Sequence, residues 1–277
     1  MKHVTLPGGQ KISALGLGTW RMGEDAELLQ AEADVLRHGL DAGLNLIDTA
    51  EMYGEGGAEM VVGEALNGRR DEAYIVSKVY PHNASYDGVI AACERSLERL
   101  QTDRIDLYLL HWRGQYPLDE TVSGFERLKS DGKIQHWGVS NLDADDMNEL
   151  LGVRDGDKCA VDQVLYNLSD RGIEWDLKPK LVENGIPVMA YCPLGEGRLL
   201  RDASLATLAD RHGVTPASIA LAWLISQHHT IAIPKTSRVE RIGPIVAALD
   251  IELDEADLTL LDHEFPPPDG PSALSIV

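Results

Sequence analysis

Four residues in this chain of 277 could together move one proton, namely Asp48, Tyr53, Lys78 and His111. A phenol with an ordinary pKa of about 10 is a poor proton donor at neutral pH unless a neighbouring cation steadies its anion. Lys78 can supply that cation. A lysine buried beside a tyrosine tends to lose its own proton, so it needs a carboxylate next to it, and Asp48 is the candidate. His111 can donate a hydrogen bond to a substrate oxygen and fix its direction without carrying the transferred proton. The chemistry expected is general-acid catalysis at an oxygen, with Tyr53 reaching the substrate from a glycine-bearing loop.

Such a constellation has to be held by regular elements. Asp48 ends the apolar run LNLID (44–48), Lys78 ends AYIVSK (73–78) and His111 ends IDLYLLH (105–111). Five more runs have the same character: ALGLG (14–18), IQHWGVSN (134–141), AVDQVLY (160–166), PVMAY (187–191) and TIAIPK (230–235). Between them lie amphipathic stretches such as 89–100 and 26–43, the latter with Leu29, Ala33, Leu36 and Leu40 at helical spacing. Eight strands alternating with helices predict an α/β chain folded as a (β/α)8 TIM barrel, whose strands point their carboxyl ends at one mouth. A β-hairpin turning at Pro7-Gly8-Gly9 precedes it, and a short tail containing Pro266-Pro267-Pro268 follows. The competing fold, a six-stranded doubly wound sheet, should open with GxGxxG. Here Gly16-Leu17-Gly18 runs into Thr19-Trp20-Arg21 without a third glycine, and reads instead as a tight turn between strand and loop. No proline- or serine-rich linker interrupts the chain, so one domain over residues 1–277 is expected.

Asp48, Lys78, His111, Ser140-Asn141, Tyr191 and Lys235 all fall at predicted strand ends. Each alone is compatible with a cap, a satisfied core histidine or a lysine reaching to solvent; together they point to a site. The motifs that hold them are GLGTW (16–20), IDTAEMYG (47–54), SKV (77–79), LLHW (109–112), GVSN (138–141), Gln163, AYCPLG (190–195) and IPKTS (233–237). In these, from hairpin to last helix, the sequence resembles the aldo-keto reductase superfamily, bacterial type. The resemblance implies that Tyr53 is the acid-base residue, with Asp48, Lys78 and His111 completing a tetrad. It implies that Ser140, Asn141 and Gln163 bind a nicotinamide carboxamide and that Tyr191 stacks on the ring. Gly18, Thr19, Trp20, Pro193 and Leu194 are implied as further cofactor contacts. The cofactor so implied is NADPH, leaving as NADP+, and the substrate is an aldehyde or ketone reduced to an alcohol.

Lys235, Arg238 and Arg241 gather within seven residues, beside the hydroxyls of Thr236 and Ser237. That group suits a phosphate monoester. Ser237 with Glu240 reads as a capping box, placing a helix amino terminus and its free amides here. By resemblance the phosphate is the 2'-phosphate of NADPH, held by Lys235, Thr236, Ser237 and Arg241. Where the family often places a Glu-Asn pair against the adenine, this chain has Pro244-Ile245, expected to delay or kink the helix. Trp20, Met52, Tyr80 and Trp112 follow the first four strands, and the resemblance puts them near the carbonyl; an aromatic wall suits an apolar or aromatic aldehyde or ketone.

The formal charge of −20 argues against nucleic-acid or anionic-membrane partners, because phosphates meet a repulsive field. No run approaches the roughly 18 consecutive apolar residues of a membrane span, and the opening MKHVTLPGGQ lacks a signal-type apolar core. Cys93, Cys159 and Cys192 are widely separated, which suggests neither a disulfide framework nor a zinc knuckle. A cytoplasmic monomer acting on a small-molecule carbonyl is the expectation. A retaining glycosidase needs two facing carboxylates, whereas strands four and seven end in His111 and Tyr191. Without an HxH pair among the nine histidines, no metal is expected. The alternative is an NADPH-binding sensor or regulatory subunit with negligible turnover, and the tetrad argues against it, since binding alone does not require those four residues.

Overall fold

The structure is a computed structural model that describes residues 2–277. Strands β1 (His3–Thr5) and β2 (Lys11–Ser13) form the antiparallel hairpin, with Val4 opposite Ile12. Its turn needs left-handed backbone, which Gly8 (φ 93°) and Gly9 (φ 92°) provide without a Cβ clash. Val4, Leu6 and Ile12 are buried, so the hairpin packs into the same hydrophobic core as the strands that follow.

Those strands are β3 (Gly16–Gly18), β4 (Leu46–Asp48), β5 (Tyr74–Val79), β6 (Ile105–Leu110), β7 (Ile134–Ser140), β8 (Asp162–Leu165), β9 (Val188–Tyr191) and β10 (Thr230–Ala232). They pair in parallel and in chain order. Parallel bridges from Leu15 to Ala232 and from Gly18 to Lys235 close the ring, supported by bonds from Gly18 N to Pro234 O (2.9 Å) and from Ala232 N to Ala14 O (2.9 Å). The eight runs read from the sequence are the eight strands. One detail is corrected: Gly16-Leu17-Gly18 is a strand, not a turn. Glycine stands there because the neighbouring strands come close; a Cβ on Gly16 would lie 2.4 Å from Leu46 Cδ2, and one on Gly18 would lie 3.0 Å from Ile233 O.

The helices are α1 (Leu29–Asp41), α2 (Gly57–Ala65), α3 (Tyr86–Leu100), α4 (Leu118–Ser130), α5 (Ala144–Gly152), α6 (Leu177–Glu183), α7 (Ala203–His212), α8 (Pro216–Ser226), α9 (Ile242–Ala247) and α10 (Glu255–Glu264). Their starts are set locally. Ser85 accepts from Gly88 N at α3, Thr215 caps α8 ahead of Pro216, and Asp143 and Asp254 form capping boxes at α5 and α10. Pro244 does not break α9: it is the third residue of the helix, where its missing N–H has no intrahelical acceptor to lose. Between barrel and helices the core is aromatic in places, with Phe125 of α4 stacked on Trp137 at 5.6 Å and edge-on to Tyr108 at 5.8 Å.

After α10 the tail turns back over the barrel. Arg171 donates to Phe265 O (2.7 Å), Gly172 leaves room for Ser272, and Leu274 packs half-buried on the core. Beneath this strap lies a polar cavity of about 240 Å³ lined by Asp143, Asp145, Asp170, Asp176, Ser272 and Ser275 among others.

Candidate active site

Asp48 is the last residue of β4, Lys78 lies near the end of β5, and His111 follows β6, so parallel pairing brings all three to one end of the barrel. Lys78 Nζ donates to Asp48 Oδ2 (2.8 Å), to Thr49 O (2.8 Å) and to the Tyr53 hydroxyl (3.1 Å). Three donors meet three acceptors, the inventory of an ammonium. Tyr53 comes in from a tight turn in which Gly54, Glu55 and Gly56 have positive φ, bending the chain back before α2. Its ring lies 4.7 Å beneath the Lys78 nitrogen and edge-on to His111 at 5.7 Å.

Burial dominates the electrostatics. It pulls Lys78 below its ordinary range, opposed by the Asp48 carboxylate, and pushes Asp48 up, opposed by Lys78. The hydrogen bonds favour the ion pair, and each charge is worth keeping only while the other is present. Tyr53 is held well above its ordinary value, by burial first and by Asp48 second. The sequence led to the opposite expectation, that Lys78 would draw the phenol down; desolvation outweighs it. His111 is pushed well below its ordinary value by burial and then by Lys78, so its imidazole is neutral at pH 7, and its buried Nδ1 has no hydrogen-bond partner among the described residues.

A second polar network adjoins the tetrad. Gln163 Nε2 donates to Asp48 Oδ1 (2.7 Å), Ser140 Oγ donates to Gln163 O (2.8 Å), and Asn141 Nδ2 donates to Ser140 Oγ (3.1 Å) and His111 O (3.2 Å). Asn141 Oδ1 accepts from the Tyr191 hydroxyl (2.9 Å). The residues expected to hold a nicotinamide are therefore one connected set, with Gln163 spent partly on Asp48. Thr19 is also spent on it: its hydroxyl donates to Asp48 O (3.0 Å) and its side chain is buried. Pro193 is buried and Leu194 half-buried in the turn after Tyr191, while Trp20 stands exposed and edge-on to Tyr53 at 5.3 Å.

The basic cluster takes a different local form from the one expected. Ser237 caps nothing; Thr236 Oγ1 takes the Arg238 amide (3.1 Å), and α9 starts without a side-chain cap. Lys235 is half-buried and held below its ordinary value by burial and by the charges of Arg21 and Arg241, with Glu32 and Glu24 opposing. A lysine flanked by two arginines is a fitting place for an anion. Arg21, on the loop after β3, was missed; its only signal was its position directly after the GLGTW motif. Among the substrate-wall residues, Tyr80 meets Trp112 edge-on at 5.8 Å and Trp112 lies 4.8 Å from His111, whereas Met52 packs half-buried against the core. No group of three or more potential metal ligands occurs among the described residues.

The same chain matches known proteins over nearly its whole length. The sequence profile described as the Aldo/keto reductase family matches residues 14–263. The methylglyoxal reductase YeaE of Escherichia coli K12 is 48% identical, covering 100% of this chain and 99% of that protein. The glyoxal reductase of Bacillus subtilis is 33% identical, over 94% and 91%. An aldo/keto reductase of Klebsiella pneumoniae, solved with NADP and acetate, superposes with a TM-score of 0.97 at 49% identity, over 100% of this chain and 99% of that one. A tyrosine, a lysine and an aspartate joined at the mouth of a closed parallel barrel thus coincide with these matches, and the protein belongs to the aldo/keto reductase family as an NADP-dependent oxidoreductase acting on carbonyl groups.

Proposed function

We propose that Tyr53 is the general acid of NADPH-dependent carbonyl reduction in this chain, supported by Lys78 and Asp48, with His111 directing the substrate. Bound NADPH supplies the hydride that the carbonyl carbon accepts. The Tyr53 hydroxyl hands its proton to the carbonyl oxygen as that oxygen becomes an alkoxide, a base strong enough to take a proton from a phenol with a raised pKa. Lys78, 3.1 Å away, steadies the phenolate left behind. Neutral His111 donates from its ring to the same oxygen and adds no second proton source. The single observation that carries this reading is the buried Lys78 ammonium bridging Asp48 and Tyr53.

The cofactor-binding set fits the same reading. Ser140, Asn141 and Gln163 would hold the carboxamide, Tyr191 the ring, and Lys235, Thr236, Ser237 and Arg241, with Arg21 added, the 2'-phosphate. Two relatives named for methylglyoxal and glyoxal reduction favour a small dicarbonyl. The Tyr80–Trp112 pair extends the range to aryl aldehydes. The working form is a single barrel domain, monomeric and cytoplasmic.

Following NADPH oxidation with methylglyoxal tests the assignment. Tyr53→Phe should lower turnover by at least about 100-fold while cofactor affinity, titrated by fluorescence, stays within about two-fold. Near-normal turnover in that variant would remove Tyr53 from the mechanism. Tight NADPH binding by the wild type, with no turnover of aldehydes, ketones or sugars, would favour the regulatory-subunit alternative.

A further inference from the structure

Pairing between β4 and β5 ends at Asp48 and Val76, yet the two chains remain fastened beyond that point. Thr49 N bonds Val76 O (2.8 Å) and Glu51 N approaches Lys78 O (3.4 Å). The next donor along, Tyr80 N, is taken by the side chain of Glu51: Oε1 accepts it at 2.8 Å and also accepts Asn83 Nδ2 at 3.0 Å. Oε2 faces Arg95 of α3 at 3.6 Å. Glu51 is only 8% exposed, and it shares no hydrogen bond with Lys78, Tyr53 or His111 side chains. A carboxylate so desolvated, with its bonds all on the segment 80–83 and α3, holds a shape rather than a proton.

What it holds is the aromatic wall. Tyr80 packs on His82 at 4.6 Å and edge-on to Trp112 at 5.8 Å, and Trp112 adjoins His111. We infer that Glu51 is a specificity-determining positioning residue: by fastening the loop of Tyr80 to the loop of Tyr53, it sets how far the aromatic wall stands from the proton donor. This rests on the mouth being the carbonyl-reducing site proposed above. A small dicarbonyl needs only the tetrad; an aryl aldehyde also needs the wall in place. Glutamine offers the same acceptor oxygen to Tyr80 N and Asn83 Nδ2; its amide nitrogen replaces Oε2 and gives up the 3.6 Å ion pair with the half-exposed Arg95.

The test compares benzaldehyde with methylglyoxal in wild type, Glu51→Ala, Glu51→Gln and Asn83→Ala, together with calorimetric binding of benzamide to the NADP+-loaded protein. Glu51→Ala should raise KM for benzaldehyde about ten-fold, the scale of a lost hydrogen bond, with kcat and the methylglyoxal kinetics changed less than about two-fold. Benzamide affinity should fall with it, Glu51→Gln should restore both, and Asn83→Ala should move them part-way. An unchanged ratio of kcat/KM for the two carbonyls, or equal losses for both that glutamine does not restore, overturns the assignment. If Glu51→Ala does not fold, Asn83→Ala and Glu51→Gln decide: Asn83→Ala must shift the ratio and Glu51→Gln must not. Wild type that reduces neither carbonyl removes the proposed function instead, and the benzamide comparison still decides for or against Glu51.

Discussion

Asp162 is fully buried on β8, and neither of its carboxylate oxygens has a hydrogen-bond partner among the described residues. Burial holds its pKa well above the usual carboxylate range; the nearby Leu142 amide opposes the shift without a well-formed bond, and Asp146 and Asp143 add to it. The sign follows from linkage: in the unfolded chain the group ionises at its ordinary value, so stability is full below that pH and is lost as pH rises towards the folded value. Asp162→Asn should therefore raise the melting temperature at pH 7 and leave it nearly unchanged near pH 4, as read by thermal unfolding at both; an equal effect at the two would show that ionisation is not the cause. Single residues were legible in sequence where they ended apolar runs, as Asp48, Lys78 and His111 do. The partnership of Lys78 with Asp48 and Tyr53 followed from charge chemistry; the other partnerships did not, because Gln163 reaches Asp48 across 115 residues and Glu51 meets Tyr80 only once two strands are side by side. The phenol's raised pKa was also invisible, since burial is a property of the packed barrel.

At the level of elements, the strands announced themselves as short apolar runs, most of them with a polar end, whereas the capping boxes at Asp143 and Asp254 that start α5 and α10 were not read from the sequence. Two local readings went astray for a physical reason. Ser237 looked like a cap, but Thr236 already holds the Arg238 amide, so the turn closes one residue earlier. Gly16 looked like a turn former, but the demand on it is contact: a Cβ would sit 2.4 Å from Leu46 Cδ2 and 2.7 Å from Leu46 O. Gly16→Ala should thus cost about 2 kcal/mol of stability by forcing β3 away from β4, measurable by denaturant titration. A change within about 0.5 kcal/mol would mean that the strands separate freely there.

Across the whole molecule, a net charge of −20 repels a polyphosphate cofactor, and the cluster of Lys235, Arg21 and Arg241 works against that field over a short range. Replacing Lys235 with Met should weaken NADPH binding about ten-fold and leave NADH nearly unchanged; equal losses for both would place the lysine elsewhere than on the 2'-phosphate. The five tryptophans are distributed just as unevenly. Trp137 and Trp223 are sealed in the core, Trp112 is half-buried in the aromatic wall, Trp175 sits on the outer surface, and Trp20 stands 42% exposed against Tyr53. Indole emission overlaps the absorption of reduced nicotinamide, so Trp20 is an optical reporter already built into the mouth. Titration with NADPH should quench intrinsic fluorescence, and Trp20→Phe should remove a disproportionate share of that quenching. Cofactor arrival and departure could then be timed by stopped-flow optics on unlabelled protein.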